Sequence, residues 1–175
     1  MTPAQIVLVE QSYAEVKPIA DVAAKLFYQR LFQIAPEVEP LFKGDIEEQG
    51  RKLMSVLTTA ISLLRHPERL RQALEQLGRR HRGYGVRPEQ FVPVGQALIW
   101  TLEQGLKEKF TPERRDAWLA LYEGVTQAML DGLQADTQPA QTAPLNSQQV
   151  SGAASPSPSP WWVRLFFFWR RSPHA

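Results

Sequence analysis

Cysteine is absent from this chain of 175 residues. Disulfides, thiolate zinc sites, iron–sulfur clusters and covalent haem attachment through a Cys-x-x-Cys-His motif are therefore excluded. Histidine is scarce, with only His66, His81 and His174. Long apolar runs are missing too. No stretch is long enough to cross a bilayer as a helix, and Met1-Thr2-Pro3-Ala4-Gln5 lacks the basic region and apolar run of a secretory signal. The expected compartment is the cytoplasm. Acid is missing from the far end: all 18 acidic residues lie at or before Asp136, and only Arg164, Arg170 and Arg171 carry charge after it. The formal net charge of +2 thus hides a near-neutral body, a poor match for nucleic-acid binding.

What is present is helical periodicity. A 43% hydrophobic content over this length supports one good core, and strand-like alternation is weak beside the three-and-four spacing of apolar residues. Thr2-Pro3-Ala4-Gln5 reads as a capping box with proline at the first helical position, starting a helix that Lys17-Pro18 breaks after about Val16. A second helix follows from about 19 to 34, with Val22, Leu26, Phe27 and Leu31 as its apolar spacing, and Ala35-Pro36 closes it. A helical turn through Pro40-Leu41-Phe42 and a corner at Lys43-Gly44-Asp45 come next. From about 46 to 64, Ile46, Gln49, Leu53, Met54, Leu57, Ile61 and Leu64 draw one stripe, of which Gln49 is the polar member. His66-Pro67 opens a helix that Gly83 and Gly85 end, and two longer helices run from about 88 to 109 and from about 112 to 134. The predicted fold class is all-α, with unequal helices and proline-marked corners.

Composition changes after Asp136. Residues 137 to 160, including Ser155-Pro156-Ser157-Pro158-Ser159-Pro160, carry no charge and too little apolar area to offset chain entropy, which predicts a disordered linker. Residues 161 to 175 mix Trp161, Trp162, Phe166, Phe167, Phe168 and Trp169 with arginines. That mixture favours docking at a membrane surface, with a partner-protein anchor, folding back on the body or, least favoured with only three arginines, base stacking on single-stranded nucleic acid as alternatives. The predicted organisation is therefore a folded domain over 1 to 136, a linker, and an aromatic-basic segment.

Within the domain, Leu70, Ala73, Leu74 and Leu77 mark the buried face of a helix, and His81 continues that face one turn on. This makes His81 the best candidate for binding an iron. The plain alternative is a charged imidazole near the carbonyl end of a helix dipole.

The order of these elements carries a resemblance. Phe27-Tyr28 with Leu31-Phe32, Pro36-Glu37, Pro40-Leu41-Phe42, Gln49-Gly50-Arg51-Lys52-Leu53-Met54, the His81 segment and Val94-Gly95 together resemble a globin. The likeness is to bacterial single-domain haemoglobins, flavohaemoglobin haem domains and animal neuroglobin, over about residues 1 to 135. It implies a globin fold, a three-over-three helical sandwich, holding haem b non-covalently.

The resemblance also implies roles. His81 corresponds to the proximal iron ligand, and Phe42 to the phenylalanine packed on the porphyrin. Gln49 and Tyr28 correspond to distal ligand-binding residues. Leu53, Leu77, Val94 and Leu98 would line the pocket, and Lys52, or less directly Arg51, Arg80 or Arg82, would meet the propionates. Each has a simpler alternative: Phe42 as a core aromatic, Gln49 facing solvent, Tyr28 bonding a backbone carbonyl, and the cations as a solvated face.

Two distal donors would strengthen dioxygen binding by about 1 to 3 kcal/mol each in a dry site, and each 1.4 kcal/mol is about tenfold. Such a pocket suits scavenging, sensing or redox protection. It also suits nitric oxide dioxygenation, but the proximal tyrosine and glutamate of the flavohaemoglobin pattern correspond here to Phe91 and Leu133. Residues beyond 136 cannot form a flavin domain, so turnover would need a separate reductase. A haem-free sensor or scaffold in the same fold is the third reading.

Overall fold

Thr2 starts the first helix in the way its neighbours predict. Its hydroxyl accepts the Gln5 amide at 3.2 Å, and the Gln5 side chain accepts the Thr2 amide at 2.9 Å, completing a capping box for α1 (Pro3–Val16). Pro18 tightens the next turn into a 3₁₀ helix at Lys17–Ile19, after which α2 spans Ala20–Ile34. Ala35 leaves helical geometry ahead of Pro36, with φ −146° and ψ 69°, and a 3₁₀ segment follows at Pro36–Leu41. The Asp45 carboxylate accepts the Glu47 amide at 3.0 Å and starts α3 (Ile46–Ser62). Next comes α4 (Pro67–Gly83), after which Gly85 supplies a left-handed residue with φ +76°. The helix expected over 88 to 109 is α5 (Phe91–Leu106), tightened into 3₁₀ turns at Pro88–Gln90 and Lys107–Lys109. Thr111 caps the last helix, α6 (Pro112–Gln134).

The computed structural model describes residues 1–42 and 44–135. Lys43, the expected linker over 137 to 160 and the aromatic-basic segment over 161 to 175 lie outside the described residues. No helix among the described residues is long and apolar enough to cross a membrane.

Packing joins α1 to α6, α2 to both α3 and α5, and α4 to α6. One apolar cluster gathers Val9, Ile99, Leu102, Ala117 and Trp118 from α1, α5 and α6. The indole nitrogen of Trp118 donates to the Ser12 hydroxyl at 2.8 Å, and that hydroxyl donates in turn to the Leu8 carbonyl at 2.7 Å. Both side chains are buried, so the pair satisfies two polar groups that would otherwise be costly in an apolar interior. A second cluster is built on Phe27, Tyr28, Leu31, Val38 and Ala97. Two apolar residues counted on the sequence stripes face outwards instead: Val22 is 59% exposed and Ile46 is 37% exposed. Ala23 and Ala24 take the inward face of α2, because a helix this close to its neighbours admits only small side chains there.

Two helix contacts run through glycine. A Cβ at Gly50 of α3 would lie 2.9 Å from that of Ala24 in α2. A Cβ at Gly78 of α4 would fall onto the Met129 carbonyl of α6, and one at Gly132 of α6 onto the Glu75 carbonyl of α4. Among the described residues α3 is thus carried by α2 and α4 by α6, with no comparable packing between α3 and α4.

Candidate functional site

His81 stands in the last turn of α4, and its Nδ1 lies 2.9 Å from the carbonyl oxygen of Leu77, one turn earlier. With Nδ1–H donating to that carbonyl, the lone pair of the neutral ring resides on Nε2, the form that coordinates a metal. Burial disfavours the charged imidazolium and lowers the His81 pKa, against the opposing pull of the Leu77 carbonyl. This is at odds with the plain reading of His81 as a charge set against the helix dipole, because that role needs the protonated ring. The Tyr84 ring lies beside it, with centroids 6.1 Å apart.

Away from α4, α2 buries Tyr28 to 4% exposure. Its ring meets Phe27 and Phe42 edge-on, at centroid distances of 5.1 and 5.3 Å, and Phe32 at 5.8 Å. The Tyr28 hydroxyl donates to the Gln49 backbone carbonyl at 3.3 Å, long for an O–H···O bond, whose usual length is about 2.7 to 2.8 Å. Burial raises the Tyr28 pKa, so the phenol keeps its proton and remains a donor. Gln49 is itself buried, with 8% exposure, which removes the reading in which it faces solvent.

Phe42, Leu53, Val94 and Leu98 are half-buried and pack on the same cluster as Tyr28. Five of the residues singled out in the sequence therefore meet in one place. Leu77 is buried on α4, one turn before His81, and is not among the residues packed on the Tyr28 cluster. Lys52 pairs with Glu48 one turn back, Nζ to Oε1 2.8 Å, so its ammonium is tied along α3. Arg51 and Arg82 are exposed and Arg80 is partly buried. Phe91 and Leu133 are both buried.

The glycine contacts at Gly50, Gly78 and Gly132 and the ring of Tyr84 beside His81 are further features of the structure. Tyr84 had an available signal, since a side chain three residues after His81 shares its face.

The globin family profile matches residues 25–129. The chain is a member of the globin family. Among relatives, this globin is 31% identical to neuroglobin from Tetraodon nigroviridis over 121 residues, covering 61% of this chain and 76% of that protein. Neuroglobin from Danio rerio is 32% identical over the same span and coverage. A crystal structure described as a hexacoordinated heme protein from an anhydrobiotic tardigrade superposes with a TM-score of 0.70 at 18% identity, covering 77% of this chain and 96% of that one. At that identity the likeness speaks to the fold.

Globins typically bind haem, and the residues of this one fit it. A half-buried imidazole with Nδ1 engaged offers one nitrogen donor, and the half-buried Phe42, Leu53, Val94 and Leu98 offer apolar surface suited to a flat macrocycle. Among the described residues no group of three or more His, Asp or Glu side chains is placed to hold a bare metal ion.

Proposed function

We propose that this globin binds haem b through His81 and reversibly takes up dioxygen or a related small ligand beside Tyr28 and Gln49, with high affinity. The observation that carries the reading is the orientation of His81 by the Leu77 carbonyl, which directs Nε2 as the ligating atom. Haem, when bound, supplies an iron with one coordination position for a small ligand. Phe42, Leu53, Leu77, Val94 and Leu98 enclose the macrocycle and keep the site dry, which strengthens any hydrogen bond made inside it. Lys52, already placed by Glu48, reaches a propionate at the solvent edge.

Tyr28 is the principal donor to the bound ligand. It holds its proton, and its bond to Gln49 is long enough that turning the hydroxyl away sacrifices little. The Gln49 amide is the second donor. α3 (Ile46–Ser62) contains no histidine, so the distal helix offers no imidazole to compete for that position.

Proximal push of the kind that favours redox turnover has little support here. The His81 Nδ1 donates to a neutral backbone carbonyl, and Phe91 and Leu133, at the positions of the flavohaemoglobin tyrosine and glutamate, bring no acid or hydroxyl. Ligand binding is therefore favoured over nitric oxide dioxygenation with an external reductase.

Stopped-flow measurement of oxygen dissociation from reconstituted ferrous protein tests this. Tyr28→Phe and Gln49→Leu should each speed dissociation by about ten- to a hundredfold, for about 1.4 to 2.8 kcal/mol per lost bond. The double variant should fall short of additivity if both donors serve one ligand. Unchanged dissociation in both single variants contradicts the high-affinity reading.

A further inference from the structure

α4, the helix that carries His81, is held by one neighbour. Among the described residues its packing is against α6, and nothing comparable joins it to α2, α3 or α5. The contact is antiparallel and reciprocal: the backbone at Gly78 rests on Met129, and the backbone at Gly132 rests on Glu75, each glycine three residues from the one its partner touches. In both cases the atoms in the way of a Cβ are backbone atoms, which no side-chain rotation can clear. Any residue larger than glycine must separate the two helices.

The same turn controls the imidazole. The carbonyl that orients His81 belongs to Leu77, next to Gly78, so the atom fixing the ring and the atom resting on α6 are neighbours along the chain. A displacement of α4 at Gly78 moves the Leu77 carbonyl and His81 together. Gly124 provides an internal contrast: it lies on α6 as well, but a Cβ there would meet nothing within 4 Å.

We infer that Gly78 and Gly132 are positioning residues, a backbone-to-backbone seat on α6 that sets where α4 presents the His81 imidazole to the haem. The inference rests on the reading of His81 as the iron ligand. Glycine within a helix is disfavoured relative to alanine, so two at one crossing are a helix-propensity loss that close approach explains.

The test uses full-length protein reconstituted with haem b, comparing the parent with Gly78→Ala, Gly132→Ala and Gly124→Ala. The readouts are the iron–imidazole stretching band of the ferrous form, the rate of haem loss and the far-ultraviolet circular dichroism of the apoprotein. Gly78→Ala and Gly132→Ala should shift the band and speed haem loss by about 10- to 100-fold, the range seen when outer partners of a metal ligand are disturbed. Gly124→Ala should change neither.

A second set places the same substitutions in a His81→Gly background supplied with free imidazole. There the ligand no longer hangs from α4, so the band should be the same with glycine or alanine at 78 and 132. A shift that persists with free imidazole shows general pocket damage and overturns the inference. An unmoved band in the His81 forms overturns it too, as does loss of apoprotein helicity in both alanine variants, which would make the pair a folding contact. If His81→Gly alone leaves the parent band in place without imidazole, it is the ligand assignment that fails.

Discussion

The hydroxyl of Tyr28 lies 3.3 Å from the backbone carbonyl of Gln49, joining α2 to the first turn of α3. Because the bond is long and the ring is already held by Phe27, Phe32 and Phe42, the hydroxyl contributes little to folding. Tyr28→Phe should therefore change apoprotein stability by less than about 1 kcal/mol in urea unfolding, the lower part of the range for a neutral hydrogen bond. A loss of about 2 kcal/mol or more would mean that the phenol is committed to the fold and is not available to a ligand.

Folding should weaken as pH falls through the range governed by His81. Its pKa in the folded protein lies below the ordinary value of 6.5, so the unfolded chain takes up the proton first. The stability that depends on the neutral ring is complete above 6.5 and is lost as pH drops towards the folded value. Protonation also removes the ligating lone pair, so haem retention declines in the same direction. Glu10, hydrogen-bonded to Arg65, and Glu15, hydrogen-bonded to Lys109 and Arg114, have pKa values held below 4.5 and act in a lower range. Urea unfolding of parent and His81→Phe apoproteins between about pH 8 and 5 checks this. The parent's extra loss on acidification should vanish in the variant, and parallel curves would refute it.

Ser12 and Trp118 link residues 106 positions apart through one buried hydrogen bond. Ser12→Ala leaves the indole N–H without its acceptor in an apolar interior and should cost about 1 to 3 kcal/mol. Trp118→Phe in the same background removes the stranded donor, so the double variant should be less destabilised than the sum of the singles. Thermal unfolding of the four proteins measures the coupling. Simple additivity would show that the bond contributes nothing specific.

Local features were legible in the sequence. The Thr2–Gln5 box, the Ala35–Pro36 boundary and the placement of His81 one turn past Leu77 all depend on residues within four positions of one another, the range over which helix chemistry acts. Long-range partners were not. Nothing near Ser12 announces Trp118, and Gly78 and Gly132 look like propensity defects until the facing backbone is known. Val22 and Ile46 were misplaced because apolar spacing finds a stripe but not its edges. Gln49 sits near such an edge too, and there the inward reading holds. The pairing of Lys52 with Glu48 was also readable in advance, since an i, i+4 pair of that order is an ordinary helical feature.

Whether His81 ligates a bound haem can be read directly from the visible spectrum. Full-length apoprotein and its His81→Ala variant, each titrated with haem b and reduced, should separate in the visible spectrum while keeping similar far-ultraviolet circular dichroism. The parent should show a saturable Soret band at one haem per chain and the variant should lose that specific spectrum, because the apolar stripe of α4 survives but its nitrogen donor does not. An unchanged ferrous spectrum and unchanged haem retention in His81→Ala would contradict it.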